Sequence, residues 1–431
     1  MSARGDTHLW HPFSDMAAVR GNEFVVERGE GIHLWDVAGD RYIDGCGALW
    51  YANIGHGRGE IADAVAAQMR KLEAYSIFGD VAVPTALELA DRLAALAPMD
   101  DARVFFGMGG GDGTEAAAKL ARAYWSANGH PERDHIITRT NAYHGSHGFA
   151  TSIVGIPANR AGFGPLIHES SNVQWDSPEA LEGEIERLGA GKVAAFFMEP
   201  VIGAGGLYPP PDGYIETVAE LCRETRVLFV LDAVICGFGR VGTWLAAERW
   251  GVRPDMIVFA KGITSGYMPL GGVIVSGRVA EPFWDRAGNP LRHGQTWSGH
   301  AASCAAALVN LDILEREGLI ERGRTLEGNL YDALAQHADH PLVGEVRGGV
   351  GLLGAIELRQ EVLDAVPGAP NELYKHIRDT GKVMTRPMLK TIAVSPPLTI
   401  TPDEITEMAE GIGAGLDAML AQVAPKLEIL V

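Results

Sequence analysis

Two short apolar runs of the sequence each end in a single charged residue. Val227–Leu231 leads into Asp232, and Met256–Ala260 leads into Lys261. Runs of this length that are rich in β-branched residues predict buried parallel strands. A charge directly after such a strand faces the crevice where open α/β sheets bind ligands. We therefore expect the Asp232 carboxylate and the Lys261 amine to face one ligand from neighbouring strand ends.

A carboxylate and an amine placed in this way suit a cofactor that has both a basic ring nitrogen and an aldehyde. Pyridoxal phosphate (PLP) is such a cofactor, because a lysine links covalently to its aldehyde and an aspartate pairs with its pyridinium nitrogen. Desolvation at the end of an apolar strand is expected to lower the pKa of Lys261. The structural alternatives are a solvated strand-end Asp232 and a Lys261 whose amine extends to the surface.

A glycine-rich segment follows another predicted strand, Arg103–Phe106, and precedes a predicted helix that begins at Thr114. Gly109, Gly110 and Gly111 would expose backbone N–H groups at the positive end of that helix, which favours a phosphate group. An ordinary flexible turn is the alternative reading of such a loop. The segment therefore predicts where the phosphate of PLP binds.

The segment from Leu231 to Arg240, Leu-Asp-Ala-Val-Ile-Cys-Gly-Phe-Gly-Arg, resembles the signature of class III aminotransferases, the ω-transaminase branch of PLP fold type I. The resemblance runs from about Leu9 to near the C-terminus. It implies an α/β protein in which a large domain holds a mostly parallel sheet and a smaller α/β domain combines N- and C-terminal parts. The family has a glutamate at Ala233 and a serine at Gly111. If the missing hydroxyl matters, Gly111→Ser should tighten retention of the cofactor.

The resemblance also implies roles for residues around the cofactor. Tyr143 would lie against one face of the ring, Val234 would cover the other face, and Glu199 would lie beside the site. Thr296 would reach the phosphate of the neighbouring subunit's cofactor, which predicts a homodimer or higher oligomer with active sites at the subunit interface. His144 is expected to have a structural rather than an acid–base role. A core tyrosine and a loop-supporting glutamate are the structural alternatives.

Several aromatic residues and one arginine resemble the substrate pocket of ω-transaminases. Phe13, Trp50 and Phe78 would form apolar walls together with Tyr143, although each is also typical of a core. Arg386 resembles the mobile arginine that pairs with the carboxylate of pyruvate or an amino acid, and a surface arginine is the alternative. The implied reaction moves an amino group from an amine or ω-amino acid to an α-keto acid such as pyruvate. A PLP-dependent epimerase, aminomutase or decarboxylase is the alternative enzyme, and an inactive binding protein is the alternative outside enzymes.

Strand and helix signals alternate from Arg103 onwards, which predicts a mostly parallel sheet. We assign residues 1–60 to an N-terminal arm and part of the small domain, 61–322 to the large PLP-binding domain, and 323–431 to the C-terminal small domain. The predicted strands of the large domain are Arg103–Phe106, His135–Arg139, Val193–Met198, Val227–Leu231, Met256–Ala260 and Val273–Ser276. Predicted strands before this domain include Glu23–Glu27, and the predicted helices include Thr114–Ser126, Pro178–Leu188, Gly213–Glu224, Ser298–Glu317 and Pro402–Val423.

The composition restricts the class of protein further. The chain has 431 residues, of which 47% are hydrophobic and 21% charged, as expected for one large and one smaller globular domain. A net charge of −19 argues against nucleic acid and anionic membranes as partners. Four cysteines without CxxC spacing predict reduced thiols in a cytoplasmic protein, and no metal site is expected. Met1–Asp6 lacks the apolar core of a signal peptide, and no apolar run is long enough for a membrane span.

Overall fold

The computed structural model describes residues 8–427, and the sequence-based expectation for Met1–Asp6 lies outside this range. The helices are α1 (Met16–Val19), α2 (Gly47–Trp50), α3 (Gly59–Leu72), α4 (Pro84–Leu96), α5 (Gly110–Ala127), α6 (Gly148–Ile153), α7 (Pro178–Leu188), α8 (Tyr214–Thr225), α9 (Gly277–Trp284), α10 (Ala301–Arg316), α11 (Leu319–Thr325), α12 (Glu327–Ala335), α13 (Gln360–Ala365), α14 (Ala369–Gly381) and α15 (Pro402–Leu427). The strands are β1 (Val26–Glu30), β2 (His33–Asp36), β3 (Arg41–Asp44), β4 (Arg103–Gly107), β5 (His135–Arg139), β6 (Ser170–Val173), β7 (Val193–Met198), β8 (Leu228–Asp232), β9 (Met256–Phe259), β10 (Gly271–Val275), β11 (Val343–Arg347), β12 (Gly354–Leu358), β13 (Val383–Met384), β14 (Arg386–Pro387) and β15 (Thr391–Val394).

A seven-stranded sheet in the order β4-β10-β9-β8-β7-β5-β6 forms the centre of the described chain. Strands β9, β8, β7, β5 and β6 pair in parallel. Strand β10 is antiparallel to both of its neighbours, so β4 runs in the same direction as β9. The predicted α/β fold with a mostly parallel sheet is confirmed. Because six strands run the same way, their carboxyl ends meet at one edge of the sheet.

Both faces of this sheet are buried, as the near-continuous apolar sequence of its strands predicts. In β9, Ile257 and Phe259 pack into one hydrophobic cluster, while Met256 and Val258 pack into a second cluster against α5. Successive side chains of a strand point to opposite faces, so one apolar run serves both clusters. The strands are thereby fixed in register, and the residues that follow them are fixed at the sheet edge.

Two smaller four-stranded sheets contain N- and C-terminal strands, in the orders β1-β2-β3-β13 and β11-β12-β15-β14. Val383 of β13 pairs in parallel with Ile43 of β3, so a strand from the C-terminal part of the chain belongs to the same sheet as the N-terminal strands. Helices α14 and α15 pack against each other beside these sheets. This pairing agrees with a small domain built from both chain ends, and the boundaries near residues 60 and 322 stay predictions.

The sequence-based element boundaries differ from the structure in places that matter for the site. Helix α5 begins at Gly110 rather than at Thr114, and the Asp112 carboxylate in its first turn accepts a hydrogen bond from the Met108 N–H. Strand β6 was not predicted, since its sequence Ser-Ser-Asn-Val is polar. Strand β1 begins at Val26, not Glu23. No helix within residues 8–427 combines the length and apolarity needed to cross a bilayer.

Candidate active site

A cavity of about 310 Å³ lies at the carboxyl edge of the central sheet. The loops after β4, β5, β7, β8 and β9 all contribute to it, as expected for a ligand site of an open α/β sheet. The structure brings together these residues that the sequence predicted for the cofactor: Gly109, Gly110, Gly111, Tyr143, Glu199, Asp232, Val234 and Lys261.

Asp232, the last residue of β8, is 4% exposed and both of its carboxylate oxygens are engaged. Oδ1 accepts a hydrogen bond from the Val234 N–H at 3.1 Å, and Oδ2 lies 2.7 Å from Nδ1 of His144. The other ring nitrogen of His144, Nε2, lies 3.0 Å from Oγ1 of Thr138 in β5. Each carboxylate oxygen has two lone pairs, so Asp232 keeps the capacity to accept a further donor from the cavity.

His144 is therefore the residue that holds the Asp232 carboxylate in place. A carboxylate is only an acceptor, so Nδ1 of His144 carries the proton in this contact, and Nε2 can accept from the hydroxyl of Thr138. The imidazole is fully buried. His144 follows Tyr143 in the loop after β5, which places it near the predicted site, but its contact with Asp232, 88 positions away, is not predictable from the sequence.

Lys261 lies two residues after the end of β9, behind Ala260, and it lines the cavity. Its backbone has a φ of 51°, a left-handed conformation that is uncommon outside glycine and is often found at functional sites. Among residues 8–427 its amine has no hydrogen-bond or salt-bridge partner. Burial lowers the pKa of Lys261, and the negative charges of Asp232 and Glu199 oppose this shift. A lysine of this kind is neutral more readily and is a better nucleophile.

Glu199 lies beside Asp232 because β7 and β8 pair in register, with Met198 opposite Leu231. Its carboxylate accepts hydrogen bonds from the N–H groups of Tyr143 and Gly203, each at 2.9 Å. Burial raises the pKa of Glu199, as does the charge of Asp232, while His144 and the two N–H donors lower it. The contacts with Tyr143 and Gly203 show that Glu199 fixes two loops that line the cavity.

The glycines at the start of α5 leave room that side chains would fill. A β-carbon at Gly110 would lie 2.9 Å from Cγ2 of Val234, so a side chain there would displace the residue predicted to cover the ring. Gly109 is the N-cap of α5, and the first N–H groups of a helix lack intrahelical partners. These free donors and the positive helix end suit a phosphate group.

Phe13 and Tyr143 meet at the entrance, with their ring centroids 6.4 Å apart in a T-shaped contact. Both line a second cavity of about 370 Å³ that adjoins the first. Phe13 also borders a large cleft of about 1190 Å³ that contains Arg386. Within the described residues the half-buried Arg386 guanidinium has no hydrogen-bond or salt-bridge partner. The structure thus places Phe13, Tyr143 and Arg386 along connected spaces.

Three predicted residues lie outside these spaces. Trp50 is 4% exposed and packs in the core, and its indole N–H has no hydrogen-bond partner among the described residues. Phe78 is 57% exposed and lies against the loop at Gly294, where a β-carbon would be 3.3 Å from its ring. Thr296, on the same loop, is exposed and does not line the cavity. Within this chain, none of the three reaches the 310 Å³ cavity.

These observations fit PLP. The cavity contains the Lys261 amine, which has no partner among residues 8–427, a fixed carboxylate at Asp232, and a helix start whose N–H groups suit an anion. These groups match the aldehyde, the ring nitrogen and the phosphate of PLP, respectively. The fold and this donor set define a PLP-dependent enzyme of fold type I.

Comparisons with known proteins identify the family within this class. The family model described as aminotransferase class-III matches residues 16–416, so the chain belongs to that family. It is 36% identical to the putrescine–pyruvate aminotransferase of Pseudomonas aeruginosa over 97% of this chain and 96% of that protein. Among solved structures, an amine transaminase from an uncultivated Pseudomonas species, in its PLP-bound form, superposes with a TM-score of 0.91 at 36% identity, covering 96% of this chain and 99% of that one.

An (S)-enantioselective ω-transaminase from Thermomicrobium roseum superposes with a TM-score of 0.91 at 40% identity, covering 96% of each chain. The predictions of a PLP-dependent aminotransferase and of the ω-transaminase branch are therefore confirmed. The protein transfers an amino group from an amine donor to an α-keto acid.

Proposed function

We propose that the amino donor is an apolar primary amine or diamine and that the acceptor is pyruvate. The observation that supports this most strongly is the arrangement of Phe13, Tyr143 and Arg386 along the spaces that adjoin the cofactor cavity. The cavity of about 370 Å³ is also lined by Phe163 and Leu166, which suit an alkyl or aryl group. The P. aeruginosa relative, whose name gives putrescine and pyruvate, supports the same substrate class.

Within the cofactor cavity, each residue has a proposed task. PLP, when bound, supplies the aldehyde that carries the amino group and the ring that withdraws electrons from the substrate carbon. Lys261 Nζ would hold the cofactor through its aldehyde, and its amine, once released, would move a proton between two carbons. Asp232, fixed by His144, accepts a hydrogen bond from the ring nitrogen. Tyr143 and Val234 cover the two faces of the ring.

Two further groups complete the proposed binding of cofactor and acceptor. The N–H groups at Gly109, Gly110 and Gly111 bind the phosphate, and Glu199 keeps the Tyr143 loop against the ring. Arg386 pairs with the carboxylate of the keto acid, since a guanidinium binds a planar carboxylate through two parallel hydrogen bonds. A donor that lacks a carboxylate leaves Arg386 free to move into the large cleft that it borders.

We further propose a homodimer in which Phe78 and Thr296 serve the neighbouring subunit's site. Phe78 packs on the loop of Thr296, both are exposed in the single chain, and neither lines that chain's own cavity. Exposed aromatic side chains near the same surface, such as Tyr75 and Trp297, support a contact there. Mixing inactive Lys261→Ala subunits with Thr296→Ala subunits tests this, because one site in a mixed dimer combines intact Lys261 with intact Thr296. Activity above that of either variant alone is expected, and no gain contradicts a shared site.

The domain boundaries at residues 60 and 322 and a cytoplasmic location belong to the same proposal. All four cysteines are free and buried, which agrees with a reducing compartment. Limited proteolysis would test the boundaries, and fractionation of the source cells would test the location.

Purified protein supplied with PLP, pyruvate and either putrescine or 1-phenylethylamine tests the substrates. We expect alanine to form in equal amount to the amine consumed, and Lys261→Ala protein to form none. Carbon dioxide or an isomer of the donor, without alanine, would point instead to a decarboxylase, epimerase or aminomutase. Alanine formed from α-amino acids but from neither amine would contradict the proposed donor class.

A further inference from the structure

The imidazole of His147 lies next to Gly111, where a side chain at position 111 would be. A β-carbon at Gly111 would lie 3.2 Å from both Cε1 and Nδ1 of His147. The segment that carries His147 packs directly on the first turn of α5, since a β-carbon at Gly145 would lie 2.9 Å from the Gly111 Cα. The ring of His147 therefore fills the volume that a serine at position 111 would enter, and it lines the cofactor cavity.

The charges around the cavity leave one basic group for a phosphate. Among the described residues that line it, the basic side chains are those of His144, His147 and Lys261. His144 uses both of its ring nitrogens for Asp232 and Thr138. Lys261 is assigned to the aldehyde by the proposed function, on which this argument rests. His147 is the remaining side chain that can offer a positive charge to a dianion.

Asp112 adds a negative charge to the turn where the phosphate is proposed to bind. Its Oδ2 accepts the Met108 N–H at 2.7 Å, which fixes a carboxylate in the first turn of α5, where the phosphate is placed. A carboxylate and a phosphate at the same helix turn repel each other. Nδ1 of His147 lies 3.5 Å from Oδ1 of Asp112. The opposite ring nitrogen, Nε2, has no hydrogen-bond partner among residues 8–427 and is free for another acceptor.

We propose that His147 binds the phosphate of PLP through Nε2 and replaces the serine hydroxyl that Gly111 lacks. Gly111 and His147 then work as a pair, because the glycine makes room for the ring and the ring supplies the donor. A charge-assisted hydrogen bond is stronger than one from a neutral hydroxyl. The imidazole would also reduce the repulsion between the Asp112 carboxylate and the bound phosphate, because it lies next to the carboxylate.

The pair revises the expectation for Gly111→Ser. In the intact chain the new β-carbon would lie 3.2 Å from His147, so the ring would have to shift by a few tenths of an ångström to make room for the serine. Its hydroxyl would thus be gained at the expense of the imidazole. With His147 removed, the same serine has space and can donate its hydrogen bond.

Binding of PLP and of pyridoxal to cofactor-free protein tests the proposal, because pyridoxal has the ring and aldehyde but no phosphate. We expect His147→Ala to raise the Kd for PLP about tenfold or more, from the loss of one charge-assisted hydrogen bond. The Kd for pyridoxal should stay within about twofold. His147→Gln, which keeps a neutral donor, should fall between wild type and His147→Ala.

His130→Ala is the matched control. His130 lies just beyond the other end of α5, is similarly exposed, and has its Nδ1 3.3 Å from a carboxylate oxygen of Glu132. Its replacement should change neither Kd. Gly111→Ser in the wild-type background should fail to tighten PLP binding, whereas Gly111→Ser added to His147→Ala should tighten it.

The possible outcomes separate the claims. An unchanged Kd for PLP in His147→Ala, or equal loss for PLP and pyridoxal, would overturn the role of His147. A changed KM for the amine with unchanged PLP binding would assign His147 to substrate in the adjoining cavity instead. A wild-type protein that binds pyridoxal as tightly as PLP would contradict the placement of the phosphate itself, and so the proposed arrangement of the cofactor rather than His147 alone.

Discussion

The site has two halves that differ in how the chain holds them. The closed half consists of His144, Glu199, Asp232 and Lys261, which sit at or just beyond the carboxyl ends of central strands. The open half consists of Phe13, Phe78, Thr296 and Arg386, which lie on an arm, loops and a two-residue strand. Asp232 and Glu199 are 4% and 3% exposed, whereas Phe13 and Phe78 are 69% and 57% exposed.

This difference shows which part of the function the single chain completes. In the closed half, hydrogen bonds and strand pairing fix every carboxylate oxygen, so the chemistry is preorganised. In the open half, Arg386 has no hydrogen-bond or salt-bridge partner among residues 8–427, and Phe78 and Thr296 face outward. We infer that changes in the closed half act on the rate of the chemical step, while changes in the open half act on the choice of substrate.

The largest effect is expected from Lys261→Ala. Removing the amine removes the group that would hold the cofactor and move the proton between the two carbons, so transamination should fall to the limit of detection while the fold stays intact. Alanine formation measures the loss, and circular dichroism verifies the fold. Lys192→Ala, at an exposed lysine after α7, is the control and should retain full turnover. Turnover that persists in Lys261→Ala would remove Lys261 from the proposed mechanism.

The closed half was the part most accessible to prediction. Asp232 and Lys261 could be placed because an apolar strand followed by one charge fixes both an element and an edge of the sheet. His144 could not be paired with Asp232, since their contact depends on the order of β5, β7 and β8 in the sheet.

Other features escaped prediction for local reasons. The reversed direction of β10 leaves no mark on its apolar sequence, because a strand buried on both faces reads alike in either direction. His147 follows Tyr143 by four positions, but its contact with Gly111 depends on the close packing of two glycine-rich loops. Trp50, which the resemblance assigns to the substrate pocket, is buried in the core, and nothing in the sequence around it indicates its backbone φ of 60°.

A smaller but still large loss is expected from His144→Leu. The apolar side chain would leave the Asp232 carboxylate without its 2.7 Å contact, so the carboxylate would be less well oriented. Residues that orient metal ligands typically contribute about 10–100-fold to activity, and we expect a similar contribution from a residue that orients this carboxylate. We expect kcat to fall by this range with little change in KM. His135→Leu, at a histidine of β5 that bonds Ser171, is the control; an equal loss there would indicate general damage to the sheet.

Arg386→Ala tests the open half, because it should weaken the binding of one substrate and leave the rate with the other unchanged. Loss of a charge-assisted pair with a carboxylate should raise KM for pyruvate about tenfold, while the half-reaction with a plain amine should change little. Arg378→Ala is the control, because Arg378 borders the same cleft but pairs with Asp379 at 2.6 Å. Equal losses for amines and keto acids would contradict a role limited to the carboxylate.

The pH dependence of the thermal stability of the cofactor-free protein tests the burial of Lys261 in the closed half. Burial lowers the pKa of Lys261 below its ordinary value of 10.5, so the unfolded chain binds more protons than the folded chain between the two values. Burial of the charged amine lowers the free energy of unfolding by its full amount at pH values below the lowered pKa. This destabilisation decreases as the pH rises from the lowered pKa to 10.5, above which the amine has lost its proton in both states. Lys261→Met should therefore be more stable than wild type at pH 7, and thermal melts should show the gap narrowing toward pH 10. A gap that widens would mean that the charge of Lys261 stabilises the fold.

The smallest effect is expected from Phe13→Ala in the open half. An aromatic contact such as that between Phe13 and Tyr143 contributes roughly 0.5–1.5 kcal/mol, and the exposure of Phe13 places it at the lower end. We expect KM for an arylalkyl amine to rise about two- to threefold while kcat for the amine half-reaction stays constant. Trp10→Ala, on the same arm and 81% exposed, is the control. If Phe13→Ala instead lowers kcat strongly, the arm contributes to orienting the Tyr143 ring. In that case Phe13 would affect the rate of the chemical step as well as the choice of substrate, and the distinction between the closed and open halves would not hold at this contact.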